Sequence, residues 1–184
     1  CDIIICPKIK SFYLIKFTRL CRYHNDRNVF DFFYLFAGGK PVVYLFNSLG
    51  VRIGEGVNVL EGLAEVISAS DDLKGEVPQF SIVKGELYGS FALLAANADF
   101  NLMTKDAAVA YASPFVISAK SDKNVDKTEV GGVKASKYNS FSTIEIADIE
   151  DAKAKIAEIL SILPVTAEIV TDTDDDLNRA TESL

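Results

Sequence analysis

Two short stretches carry the residues best suited to chemistry. "NSLGVRIGEG" (47–56) follows the apolar run "PVVYLF" and precedes a segment with helical spacing. "GELYGS" (85–90) follows a second apolar run and opens a second helical segment. In both, small residues let the backbone approach a ligand closely. A helix starting there has unpaired first amides and a dipole that favours negative charge. Two such amides aimed at one point make an oxyanion hole, which stabilises an enolate or a tetrahedral oxyanion without a titrating side chain. That chemistry suits a chain with one His and no Trp. The competing reading is geometric. Glycine is common in strand-to-helix turns because it relieves tight backbone, and neither stretch matches a P-loop or a GxGxxG fingerprint.

Other candidates read more simply. His24 in "RYHND" has no neighbouring Cys or acid pair to form a ligand set, so it reads as a loop residue. Cys1, Cys6 and Cys21 are odd in number and lack a CxxC pair, which argues against a disulfide framework and against zinc. Reduced thiols of a cytoplasmic protein are the expectation, and no metal site is expected. Asp174–Asp176 read as a solvated tail, and "GGVK" (131–134) as a flexible turn rather than a phosphate cradle. The aromatic cluster at 30–36 reads as core or subunit contact, because it lacks the interleaved basic residues of a base-stacking surface.

Charge narrows the partners. The net charge is −7, yet residues 1–40 carry seven Lys/Arg against three Asp/Glu. The acidic excess therefore lies in the remainder. A non-specific nucleic-acid binder is usually basic overall, so nucleic acid is not expected. "VFDFFYLF" falls well short of the ~20 apolar residues of a membrane helix, and no membrane insertion is expected.

Positioning those turns requires alternating strands and helices. "SFYLIKF" (11–17) reads as a strand, and "VFDFFYLF" (29–36) is ambiguous, with Gly38 or Gly39 able to cap a helix ending near Phe36. "PVVYLF" (41–46) and "FSIVKG" (80–85) are apolar throughout, as strands buried on both faces are. "VNVLEGLAEVISAS" puts Val57, Leu60, Leu63, Ala64 and Ile67 on one helical face. "SFALLAANA" reads as a short buried helix, and "FNLMT" and "AAVAYA" as strands about the turn "KD". Residues 118–140 are polar with a GG pair and read as an excursion or flexible loop. "DIEDAKAKIAEILSILP" is the clearest helix: Asp148 is its N-cap, Pro164 ends it, and Ile149, Ala152, Ile156, Ile159, Leu160 and Leu163 form its stripe. The pattern is an α/β chain with a mainly parallel sheet, whose ligands sit at the carboxyl ends of strands.

Taken in order, these segments resemble the N-terminal half of the biotin-dependent acyl-CoA carboxyltransferases, such as propionyl-CoA carboxylase β and methylmalonyl-CoA decarboxylase α subunits. The family's NDSGGARIQEGV reads here "FNSLGVRIGEGV". Its VPQISLI reads "VPQFSIV", and its GPCAGGAVYSPALTDF reads "GELYGSFALLAANADF" at equal length. MVKDT appears as "LMTKDA", VTxEELGGAK as "VDKTEVGGVK", and the closing FLP and DDPxR as "ILP" and "DDDLNR". The resemblance covers about residues 29–184.

The resemblance implies a crotonase-like fold of repeated ββα units with a spiral sheet. It divides the chain into a divergent segment 1–28, a carboxyltransferase N-domain 29–170 and an acidic tail 171–184. It implies acyl-CoA as substrate and biotin on a partner carrier protein as cofactor. Backbone amides of Gly50 and Val51 would hold the thioester oxygen as an enolate forms. Leu49, Arg52, Glu55, Gly56, Gly89, Ser90 and Phe91 would bind substrate. It further implies a homo- or hetero-oligomer in which a second carboxyltransferase half or subunit completes the site. Several positions depart from the pattern. Leu49 and Ser90 stand where the family has glycine, and Val51 where it has alanine. Glu86, Leu87 and Tyr88 replace Pro, Cys and Ala, and residues 1–28 offer no match to an upstream GGS segment. Two further readings stay open on these departures: a non-catalytic relative serving assembly or CoA binding, and a malonate-decarboxylase-like subunit.

Overall fold

The computed structural model describes residues 2–4, 13–17, 40–50, 56–138, 141 and 143–163. The readings made for His24, the three cysteines, residues 29–36, Gly38, Gly39, Pro164 and the tail 171–184 lie outside the described residues. So do Val51, Arg52 and Glu55.

Six strands form the main sheet: β1 (Asp2–Ile4), β2 (Tyr13–Phe17), β3 (Val42–Phe46), β4 (Gln79–Val83), β6 (Phe100–Thr104) and β8 (Thr143–Ile146), in the spatial order β1-β2-β3-β4-β6-β8. β1 pairs antiparallel with β2, and every other pairing is parallel. β5 (Glu86–Tyr88) and β7 (Ala108–Ala110) form a separate parallel pair.

The two sheets repeat one plan. β4 leads through β5 into helix α2 (Ser90–Ala96), and β6 leads through β7 into α3 (Pro114–Ser121). Each unit is strand, short strand, helix, the ββα repeat expected of a crotonase-like fold.

Both faces of the sheet are covered, which explains the unbroken apolar runs. On one face Val42, Tyr44 and Phe46 pack with Leu63 and Val66 of α1 (Asn58–Asp72) and Phe91 and Leu94 of α2. On the other, Val43, Leu45, Phe80, Ile82 and Leu102 meet Ala152 and Ile156 of α6 (Ile149–Ile162). All five residues of β3 and of β4 are buried. One polar cluster sits inside the first face. Tyr44 Oη and Ser70 Oγ both donate to Gln79 Oε1, at 2.5 and 2.7 Å, and Gln79 Nε2 donates to Ser70 O at 2.9 Å. These groups satisfy one another, as burial demands, and burial drives the Tyr44 hydroxyl well above its ordinary range.

α6 begins as the sequence predicts: the Asp148 carboxylate accepts from the Asp151 amide at 2.9 Å. α1 exists where expected but is turned about its axis. Its buried residues are Val59, Gly62, Leu63, Val66 and Ser70, while Val57 and Leu60 are 78% and 54% exposed. Small residues at 62 and 70 seat the helix close to the sheet, a preference that hydrophobic spacing does not register.

Of the two readings of residues 118–140, an excursion or a flexible loop, the described residues up to Tyr138 overturn the flexible loop. α3 extends to Ser121, and α4 (Lys127–Gly131) and α5 (Val133–Tyr138) follow. Their starts are fixed locally. Ser113 Oγ accepts from the Val116 amide with Pro114 in the first turn, and Asp126 accepts from the Thr128 amide at 2.8 Å. "GGVK" therefore spans the junction of α4 and α5 rather than forming a free turn. Gly131 closes α4 against β7, and Gly132 bridges Ala108. "GELYGS", read as a turn, contains β5, and β8 is a strand the apolar pattern did not mark.

Candidate functional site

The turns that leave the carboxyl ends of β3, β5 and β7 converge. The Tyr88 amide donates to the Leu49 carbonyl at 3.2 Å, tying the first turn to the second. The Gly89 amide donates to the carbonyls of Ala110 and Tyr111, each at 3.1 Å, tying the second to the third. Gly50 has φ +146°, and a Cβ there would lie 3.0 Å from the Tyr88 carbonyl oxygen. Glycine is required at this crossing both by its backbone angle and by space.

The convergence encloses a cavity of about 910 Å³. Leu49, Gly50, Gly89 and Ser90 line it together. Its remaining wall comes from Glu86 and Tyr88 on β5, from Tyr111 to Val116 at the start of α3, and from Val125, Asp126 and Lys127 at the start of α4. The volume falls within the range of small-molecule sites. The rim is apolar and open: Leu49, Tyr111 and Phe115 are 68%, 74% and 82% exposed.

The expected site residues sort clearly. The Gly50 amide donates to Ser48 Oγ at 3.4 Å, a long bond that a better acceptor displaces readily. The Gly89 amide is consumed within the fold, so Gly89 lines the cavity without offering it a donor. The Ser90 amide has no acceptor among the described residues. Gly56 sits exposed at the approach to α1, outside the cavity lining. Phe91 corrects the expectation of substrate contact. Its side chain is wholly buried, its ring 6.3 Å from that of Phe46, because α2 turns this position toward the sheet.

Sequence reasoning did not find the polar group on the β5 wall. Glu86 accepts from Tyr88 Oη at 3.0 Å and pairs with Lys127 Nζ at 3.4 Å. Burial, and then the hydrogen bond and charge of Glu86, drive the Tyr88 hydroxyl well above its ordinary range, so it remains a donor at neutral pH. The period-two spacing of Glu86 and Tyr88 placed them on one strand face, but Lys127 reaches them only through the fold. Among the described residues no three His, Cys, Asp or Glu side chains gather as a metal site requires. None of the described helices is long and apolar enough to cross a membrane.

Fold and site together define a class: crotonase-like α/β proteins, here with a cavity at the strand ends. The family model described as carboxyl transferase domain matches residues 13–183, and the chain belongs to that family. The methylmalonyl-CoA carboxyltransferase 12S subunit of Propionibacterium freudenreichii subsp. shermanii is 35% identical over 127 residues, 68% of this chain and 24% of that one. A transcarboxylase 12S crystal structure, a hexamer with hydrolysed methylmalonyl-coenzyme A bound, superimposes with a TM-score of 0.72 at 28% identity, over 84% of this chain and 32% of that one. A Pseudomonas malonate decarboxylase heterodimer shares the fold, with a TM-score of 0.66 at 16% identity over 82% and 72% of the two chains. The chain spans about a quarter of the length of the 12S subunit.

Proposed function

We propose that this chain is the acyl-CoA-binding half of a biotin-dependent carboxyltransferase, with residues 29–170 as its domain. The acyl thioester enters past Leu49 and Tyr111, and its carbonyl oxygen lies against the turn at Gly50. As an enolate forms, the oxygen gains charge. The Gly50 and Val51 amides then bind it more strongly than the ground-state carbonyl, which is the condition for catalysis. Ser48 releases the Gly50 amide in exchange. Ser90 and the backbone of Gly89 line the thioester. Biotin, on a partner carrier protein, supplies the carboxyl group, and a second carboxyltransferase half or subunit completes the site.

One observation supports this reading above the rest: two glycine turns distant in sequence, at Gly50 and at Gly89, meet on one cavity in a chain of this family. The test is calorimetric titration of the folded chain with propionyl-CoA and methylmalonyl-CoA. Saturable binding of either is expected, and the absence of both would remove the reading.

Leu49 favours a second reading, a relative that binds CoA or assembles without turnover. Its side chain stands at the cavity mouth where the resembled pattern has glycine. On this reading Leu49→Gly gains acyl-CoA affinity by about tenfold or more, the worth of one removed obstruction. An unchanged affinity would leave Leu49 without a gating role.

A further inference from the structure

We propose that Glu86, Tyr88 and Lys127 form a polar subsite that selects acyl thioesters whose chain ends in a neutral hydrogen-bonding group, a hydroxyl in the simplest case. The inference rests on the acyl-CoA reading above and names the substrate class for it.

The three side chains all line the cavity. Lys127 Nζ and Glu86 Oε1 are 3.4 Å apart, and Tyr88 Oη holds the other oxygen of Glu86 at 3.0 Å. The ion pair is about two-thirds buried, with side-chain exposures of 38% and 35%. Three kinds of acyl terminus meet this wall differently. An alkyl end strips water from the pair and returns no hydrogen bond, which is costly. A carboxylate meets one ammonium but two carboxylates, Glu86 and the neighbouring Asp126. Asp126 does not move away to relieve this, because it holds the Thr128 amide at 2.8 Å and the Thr128 hydroxyl at 2.5 Å. A hydroxyl inserts between the partners, donating to Glu86 and accepting from Lys127, so both charges stay satisfied.

Position sets the chain length. Glu86 precedes Tyr88 by two residues of strand, roughly 7 Å, and the Tyr88 carbonyl abuts Gly50. An acyl group of medium length spans from the oxyanion turn to the pair. The resembled family pattern has Pro and Ala at these two positions, and neither carries a polar side chain, so the subsite is a property of this chain.

The test titrates the full chain with ω-hydroxyhexanoyl-CoA, hexanoyl-CoA, adipoyl-CoA and free CoA. The wild type is expected to bind the hydroxyacyl thioester about fivefold or more tightly than hexanoyl-CoA, with adipoyl-CoA weaker than the hydroxyacyl ligand. In the double variant Glu86→Gln, Lys127→Met the preference falls within about twofold while free CoA affinity is unchanged. Equal binding of hydroxyhexanoyl-CoA and hexanoyl-CoA by the wild type overturns the proposal, as does tightest binding of adipoyl-CoA. A variant that weakens free CoA in the same proportion also overturns it, because the pair then reads the pantetheine arm. If the double variant does not fold, the order of the wild-type affinities decides alone. Failure of all four ligands to bind defeats the acyl-CoA reading itself, an outcome distinct from binding without discrimination.

Discussion

Replacing Gly131 with alanine sets two effects of opposite sign against each other. Gly131 is the last residue of α4, and helix propensity favours alanine over glycine by up to about 1 kcal/mol, less at a helix end. Packing opposes it. A Cβ at Gly131 would lie 2.2 Å from the Val109 carbonyl oxygen, 2.6 Å from its carbon and 2.9 Å from the Val109 nitrogen. These are backbone atoms of β7, so no side-chain rotation relieves the contact. The helix must retreat by roughly 1 Å to restore an ordinary carbon–oxygen separation near 3.3 Å. Overpacking of this kind costs about 1–3 kcal/mol, which exceeds the propensity gain. A net loss of about 1–2 kcal/mol lowers Tm by about 2–8 °C in a chain of this size. Thermal unfolding followed by far-ultraviolet circular dichroism measures it. An unchanged or raised Tm would refute the argument, because propensity would then outweigh a contact that the α4–β7 spacing does not allow. The retreat also moves Lys127, so the same variant should lose part of its preference for hydroxyhexanoyl-CoA over hexanoyl-CoA.

Three further outcomes are expected. Gly50→Ala places a Cβ 3.0 Å from the Tyr88 carbonyl oxygen at φ +146°; the strain of about 1–3 kcal/mol displaces the turn, and acyl-CoA affinity by calorimetry should fall about tenfold or more. Asp148→Ala removes the α6 cap at 2.9 Å, costing about 1 kcal/mol and lowering Tm by about 2–4 °C; a neutral substitution would mean that the cap adds nothing to the packing of Ala152 and Ile156. Asp126 is held below the usual carboxylate range by hydrogen bonds from the Thr128 side chain and then its backbone. With the folded value depressed, its stabilising contribution is present above the unfolded value of about 3.9. It is lost as pH falls through the lower folded value. Urea midpoints of Asp126→Asn should therefore decline less between neutral pH and strong acid than those of the wild type, and parallel curves would contradict the assignment.

The centre of the sheet was legible because β3 and β4 are buried on both faces. β3 and β4 announce themselves as apolar runs, and the cap and stripe of α6 follow from Asp148 and its spacing. α1 was legible in kind but not in rotation, since Gly62 and Ser70 face inward for closeness rather than hydrophobicity. α3, α4 and α5 carry little periodicity. Their starts are written in Ser113–Pro114 and Asp126, short signals that a polar background hides. At the site, sequence reasoning placed Leu49, Gly50, Gly89 and Ser90, which line one cavity. It misjudged Phe91, because a position next to a site turn can still point to the core. It had no route to Lys127, whose partner Glu86 lies 41 residues away and is brought near only by the repeat geometry.

The seam that joins Leu49 to Tyr88 and Gly89 to Ala110 also governs where this chain can accept change in length. An inserted residue at 47–50, 88–90 or 110–112 would put one loop out of step with the next, and the error would pass along the series. The connection from Asp122 to Val125 is exposed for most of its length and lies beyond that seam, and surface connections of this kind tolerate insertion best. Insertions there would lengthen the cavity rim while leaving the turn at Gly50 in place. A cavity of new shape in such a scaffold would therefore arise by lengthening residues 122–125, with the backbone at Gly50 and Gly89 held constant.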